Sequence, residues 1–266
     1  MPSPTPSPRH RFTSVVTDRP SRLFILLAGF FVANAIIAEL IGVKIFALET
    51  TLGLAPWDFN LFGEVGALQF SAGVLLWPVV FVMTDLLNEY YGKRGVRLLS
   101  YLTVGLILYV FAMIYLAIGL EPAEWWRLQS VEAGVPDSQA AFRVTFGQGL
   151  FIIVGSVTAF LVAQLTDVTV FQWIKGKTGD RWLWARATGS TIVSQLVDSL
   201  VILFIAFKAG PELFPGVIEP WPWSRLFAVA TVQYVFKFST AILLTPVIYL
   251  AHGAIDRYLG VERLVK

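Results

Sequence analysis

The stretch Trp77-Pro78-Val79-Val80-Phe81-Val82-Met83-Thr84-Asp85-Leu86-Leu87-Asn88-Glu89-Tyr90-Tyr91-Gly92-Lys93-Arg94 decides how this chain is read. A long apolar run takes up Asp85, Asn88 and Glu89 before it ends, and a basic turn follows at once. Read as a membrane helix, it places Asp85 and Glu89 at or inside the bilayer boundary. Each ionisable group there costs about 2.5 to 3.5 kcal/mol on the insertion scale. Something must offset that cost, and a functional site is the default expectation.

Composition supports the membrane reading. Of 266 residues, 56% are hydrophobic and 14% charged. Mean hydropathy is +0.69. A soluble domain carries roughly 25% charged residues. There is no Cys, so thiol nucleophiles, disulfides and Cys-ligated metals are excluded. A net charge of +2, with no basic run interleaved with aromatics, gives no footprint for nucleic acid. Residues 1–20, rich in Pro and Ser, read as a disordered cytoplasmic tail, and residues 21–266 as one transmembrane domain. The apolar run from Leu23 to Leu48 is longer than a signal-peptide core of about 7 to 15 residues, so it is expected to stay as a helix.

A spanning helix needs about 20 mostly apolar residues. Six segments qualify: Arg22–Leu48, Leu68–Tyr91, Val96–Leu120, Gln148–Ile174, Thr188–Lys208 and Arg225–Leu250. The expected fold is all-α, a polytopic bundle of six transmembrane helices. Lys and Arg collect in alternate connections: Arg9, Arg11, Arg19 and Arg22; Lys93, Arg94 and Arg97; Lys175, Lys177, Arg181 and Arg186; Arg257, Arg263 and Lys266. The positive-inside rule then puts both termini in the cytoplasm of an inner (plasma) membrane protein. Pro78 and Pro246 are expected to kink spans two and six. Trp125-Trp126 and Trp221-Pro222-Trp223 read as interfacial anchors, with a substrate lid as the other reading.

Polar residues recur at helical spacing inside these spans. Asn34, Gln164, Asp167, Ser194, Gln195, Asp198, Gln233 and Lys237 fall near mid-depth, while Asp85, Asn88 and Glu89 lie lower. Gln164 and Asp167 are three apart, as are Gln195 and Asp198, so each span presents one polar stripe. The stripes are expected to converge on an interior cavity, with Asp198 pairing with Lys237 at similar depth. Polar contacts that merely hold helices together, at about 0.6 kcal/mol each, account for a lone amide. Three Asp, one Lys and several amides over five spans exceed that account. Asp85, Asn88 and Glu89 are read as an inner gate or packing element paired with Lys93 or Arg94. Glu39 lies about 140° around the helix from Asn34, toward a different neighbour, and Lys44 is expected to snorkel. His10 and His252 are expected to be solvated. No metal or cofactor site is expected. No Walker A, H-E-x-x-H or G-x-S-x-G motif occurs. An intramembrane enzyme would have to use paired carboxylates without a nucleophile or metal.

WPVVFVMTDLLNEYYGKRGVR resembles the signature of the queuosine precursor transporters, also called the vitamin uptake transporter family. AQLTDVTVFQWIK, STIVSQLVDSLVILF and ANAIIAELIGVKIF resemble the same family, over essentially the whole chain beyond residue 20. The resemblance implies uptake of 7-deazaguanines: 7-cyano-7-deazaguanine, 7-aminomethyl-7-deazaguanine or queuine. It also implies a bundle similar to the S components of energy-coupling-factor transporters. A guanine-like edge offers adjacent N–H donors to a carboxylate such as Asp198 or Asp167. Gln164, Gln195 and Asn34 suit its carbonyl and ring nitrogen, and Phe160, Phe171 or Tyr234 are candidates to stack on the ring. The alternative reading is a substrate-binding subunit needing a separate ATP-driven partner. Homo-oligomerisation is left open.

Overall fold

In the computed structural model, residues 18–66, 68–179, 182–216 and 218–260 are described. Most of the N-terminal tail lies outside them. Among the described residues, five helices are long and apolar enough to cross a membrane. They are α1 (Arg19–Ile41), α2 (Trp77–Ile118), α3 (Leu150–Thr178), α4 (Leu183–Phe204) and α5 (Trp223–Leu259). Asp18 caps α1 by accepting the Ser21 N–H at 2.9 Å, and Pro20 sits in the first turn. That backbone donor holds the Asp18 carboxyl below its usual range. Outward-facing Leu26, Leu98, Leu243 and Leu250 are more than half exposed, as helices meeting lipid require.

A straight helix of the length of α2 would run about 63 Å, twice the roughly 30 Å hydrocarbon core. It is not straight. Gly92 has φ 67° and ψ −176°, a backbone region essentially reserved for glycine. The chain turns back there. Trp77 lies beside the Gly73 turn, which packs on Ala38 near the end of α1. Tyr91 meets the start of α1, donating its hydroxyl to the Pro20 carbonyl at 2.7 Å and packing its ring on Phe24. Beyond Gly92, Gly95 still faces Phe24, whereas Ile107 and Phe111 pack against Ile36. Residues 77–91 thus run antiparallel to α1 and residues 93–118 parallel to it. Replacing Gly92 with Ala should cost about 1 to 3 kcal/mol. Thermal unfolding in detergent should show the lowered melting temperature.

The connection between α1 and α2 departs from expectation. Span two does not begin at Leu68. That region forms two antiparallel strand pairs, absent from the all-α reading. β1 (Ile45–Ala47) pairs with β4 (Gln69–Ser71), and β2 (Phe59–Leu61) with β3 (Glu64–Gly66). Phe62 and Gly63 both have positive φ, which gives the β2–β3 turn the twist of a two-residue hairpin. Phe-Gly is not the usual signature of that turn, so the strands left little trace. A 3-10 turn, Ala72–Leu75, then leads into α2. Pro78 falls in the first helical turn, where no backbone partner is lost and no kink follows. Pro246 does lie inside α5.

α3 and α4 form the most extensive helix pair. Gly155 allows it, since a side-chain carbon there would stand 3.3 Å from the Ile202 carbonyl oxygen of α4. One end of the bundle gathers Arg19, Lys93, Arg94, Lys175 and Arg257 and is termed the basic end. The other carries the strands and is termed the hairpin end.

Candidate functional site

A cleft of about 890 Å³ enters the bundle from the hairpin end. Its walls come from α1, the strands, the first turn of α2, α3, α4 and α5. Asp198, Gln233 and Lys237 line it, as do Glu39, Gln148 and Ser156. The Asp198–Lys237 pair expected from matched depth is present, with Lys237 Nζ 2.5 Å from Asp198 Oδ2 and 3.3 Å from Ser199 Oγ. Trp77 and Phe160 form an aromatic wall with ring centroids 5.6 Å apart. Of the three stacking candidates, only Phe160 faces this cleft. Phe171 is fully buried under the Arg186 guanidinium, and Tyr234 packs on Phe238.

A second wall arises from a backbone irregularity. Pro211 has no N–H to offer the Phe207 carbonyl one turn before it. The Trp221 N–H donates to that carbonyl instead, at 2.8 Å. The Trp221 ring consequently stacks on Phe207 at 4.1 Å, with the Arg225 guanidinium 4.4 Å above it. Trp221 is therefore part of the cavity wall. Trp223 stacks between Phe204 and Phe227.

Val74, Trp77 and Lys237 also border a narrow pocket of about 30 Å³ deeper in the bundle. Asp85, Thr191 and Gln195 line it. The polar stripes thus separate into two groups. Asp198, Gln233 and Lys237 face the cleft, while Asp85, Gln164, Asp167 and Gln195 form a buried polar heart beneath it. Thr84 Oγ1 donates to Gln164 Oε1 at 3.0 Å, and Ser194 Oγ donates to Asp167 Oδ1 at 3.1 Å. Asp85 Oδ1, Gln164 Nε2, Asp167 Oδ2 and Gln195 Nε2 are buried without a hydrogen-bond partner among the described residues. Asn34 joins neither group. Its amide donates to the Phe30 carbonyl of its own helix at 2.8 Å, which corrects the expectation that it meets the others.

The basic end is sealed by charge pairs. Glu89 is bound by Lys175 at 3.0 Å and Arg186 at 3.1 Å. The expected partners were Lys93 and Arg94, adjacent in sequence. They do not pair with it, because Gly92 carries the chain around before them and Arg94 is exposed. Arg186, counted above as a loop cation, is 1% exposed and sits in the first turn of α4, which begins five residues before the expected Thr188. Asn88 Oδ1 accepts from Gln172 Nε2 at 2.6 Å. His252 is buried rather than solvated. Its Nδ1 lies 2.9 Å from the Tyr90 hydroxyl, which donates to Asp256 at 2.6 Å. Sequence reasoning missed Arg186, Ser156 and Thr84. Only the helical spacing of Thr84 with Asn88 hinted at any of them. Among the described residues, no group of three or more His, Cys, Asp or Glu is placed to hold a metal ion.

Apolar helices surrounding a polar, aromatic-walled cleft, sealed at one end, have the architecture of a multi-pass membrane transporter. The chain belongs to the family described as "Putative vitamin uptake transporter", whose model matches residues 71–251. It is 30% identical to the probable queuosine precursor transporter of Bacillus subtilis, over 71% of this chain and 74% of that one. It is 26% identical to the probable queuosine precursor transporter of Haemophilus influenzae, over 86% of each chain. It is 26% identical to the queuosine precursor transporter of Escherichia coli, over 62% and 64%. No solved structure matches it. The protein is a multi-pass transporter of the plasma membrane.

Proposed function

We propose that this protein takes up queuosine precursors: 7-cyano-7-deazaguanine, 7-aminomethyl-7-deazaguanine or queuine. The names of its relatives support the substrate class. The observation that carries the reading is the combination of a Trp77–Phe160 wall with the Lys237–Asp198 pair and Gln233 in one cleft. A flat heterocycle stacks on such a wall. The Lys237 ammonium donates to its carbonyl oxygen, and Gln233 both donates and accepts. Asp198 orients Lys237 through their 2.5 Å contact. The buried polar heart continues the path toward the basic end.

The chain crosses the membrane six times, because α2 counts as two crossings joined at Gly92. Both termini are cytoplasmic, since the basic end then obeys the positive-inside rule. The cleft opens outward and the Glu89–Lys175–Arg186 seal faces the cytoplasm.

Uptake of labelled 7-cyano-7-deazaguanine into cells lacking their own synthesis tests the reading. Expression of this chain should raise accumulation clearly over the empty vector. Accumulation equal to the vector control would refute it. The purified chain in liposomes should also transport. Failure there, with success in cells, would indicate the separate ATP-driven partner of the alternative reading.

A further inference from the structure

We propose that Glu39 is the carboxylate that receives the paired N–H donors of the ligand's 2-aminopyrimidinone edge, an inference resting on the uptake reading above. Three acidic residues line the cleft. Asp198 is held by Lys237. Glu64 accepts the Ser224 hydroxyl at 2.7 Å near the mouth. Glu39 alone among them is both deeply buried, 6% exposed, and without a cation in contact among the described residues.

Its geometry is that of a prepared acceptor. Ser156 Oγ donates to Oε1 at 2.5 Å, which fixes the plane of the carboxylate. No group among the described residues donates to Oε2. Gln148 Nε2 donates to the Glu39 backbone carbonyl at 2.8 Å, bracing the last turn of α1. The two cations lining the cleft are engaged elsewhere, Lys237 by Asp198 and Arg225 over Trp221. Glu39 lines the cleft, so a ligand's donors can reach the oxygen that Ser156 leaves free. Two adjacent N–H groups match a carboxylate in a charge-assisted pair, and a guanine-like edge carries them on N1 and the exocyclic amine. Glu39 and Lys237 then divide the ligand, donors to one and carbonyl to the other.

The test uses the purified full chain in detergent. Calorimetry compares 7-cyano-7-deazaguanine with its 2-deamino analogue. The wild-type protein should prefer the 2-amino compound. Glu39→Gln should raise the Kd of that compound by about 10- to 100-fold, as expected for loss of a hydrogen bond to a charged group. The Kd of the analogue should change little, so the preference collapses. Glu39→Asp keeps the carboxylate and should keep the preference at lower affinity, which covers the case in which the Gln variant does not fold. A folded Gln variant that retains the full preference overturns the assignment while leaving the uptake reading intact. A wild-type protein that binds neither compound overturns both. A purely structural Glu39 would lower the melting temperature of Glu39→Gln without changing the ratio of the two affinities.

Discussion

Lys237→Ala should cut uptake sharply while leaving a folded protein. The ammonium lies 2.5 Å from Asp198, with the two side chains only 13% and 20% exposed. Removing it deletes the cation proposed to meet the ligand's carbonyl and leaves Asp198 uncompensated in the wall of the cleft. Loss of a hydrogen bond to a charged group is worth about 1.5 to 3 kcal/mol. That corresponds to an uptake deficit of roughly 10- to 150-fold at limiting substrate. Asp198→Asn should produce a comparable deficit by releasing Lys237 from its position. The double variant Asp198→Asn with Lys237→Gln should regain stability, because no lone charge remains, yet stay inactive. Initial rates at substrate concentrations below KM separate these outcomes. Wild-type rates for Lys237→Ala would remove the polar half of the proposed site. Lys237→Arg is informative as well, since a planar guanidinium keeps the charge but not the point-like geometry of the ammonium.

Arg186→Ala should have the largest effect on stability. Arg186 and Glu89 are 1% and 0% exposed at the side chain, and their nitrogen and oxygen are 3.1 Å apart. Arg186 also donates to the Gly179 carbonyl at 3.0 Å, closing the connection between α3 and α4. Breaking a buried pair from one side costs about 3 to 5 kcal/mol, because the remaining charge stays buried. Lys175, 26% exposed at its side chain, remains near Glu89 and keeps the loss toward the lower bound. Thermal unfolding in detergent should show a melting temperature lowered by roughly 10 °C. Replacing both partners, Glu89→Gln with Arg186→Met, should recover most of that loss, as neutral substitutes of similar volume do. Ligand affinity measured at low temperature should be unchanged in the double variant, because the pair lies at the sealed end, away from the cleft. An Arg186→Ala protein as stable as wild type would show that the basic end is not locked by this pair.

Much of the site was readable along each helix and little of it between helices. The three- and four-residue spacing of Gln164 with Asp167, and of Gln195 with Asp198, places each pair on one face whatever surrounds it. Matched depth was enough to pair Asp198 with Lys237 on consecutive helices. Spacing says nothing about which stripe reaches the cleft and which is covered. Asp167 is covered by Ser194 of α4, and Gln164 by Thr84 of α2, contacts set by how closely those helices approach α3. On helical spacing Glu39 lies about 140° around α1 from Asn34, toward a different neighbour. That direction turned out to be the cleft side of α1, while Asn34 satisfies itself on Phe30.

Apolar length, the charge distribution along the chain and helical periodicity by themselves determined that this protein resides in a membrane and that its helices carry inward polar faces. These properties follow from the cost of polar groups in hydrocarbon, which acts on every segment independently of its neighbours. Only the tertiary structure decided that Glu89 takes Lys175 and Arg186 instead of the adjacent bases, that Trp221 walls the cleft, and that Glu39 holds an unclaimed oxygen there. Each of these depends on distances between segments remote in sequence. Those distances are set by the reversal at Gly92 and by how closely α3 and α4 approach, and neither quantity is encoded in the spacing along any one helix.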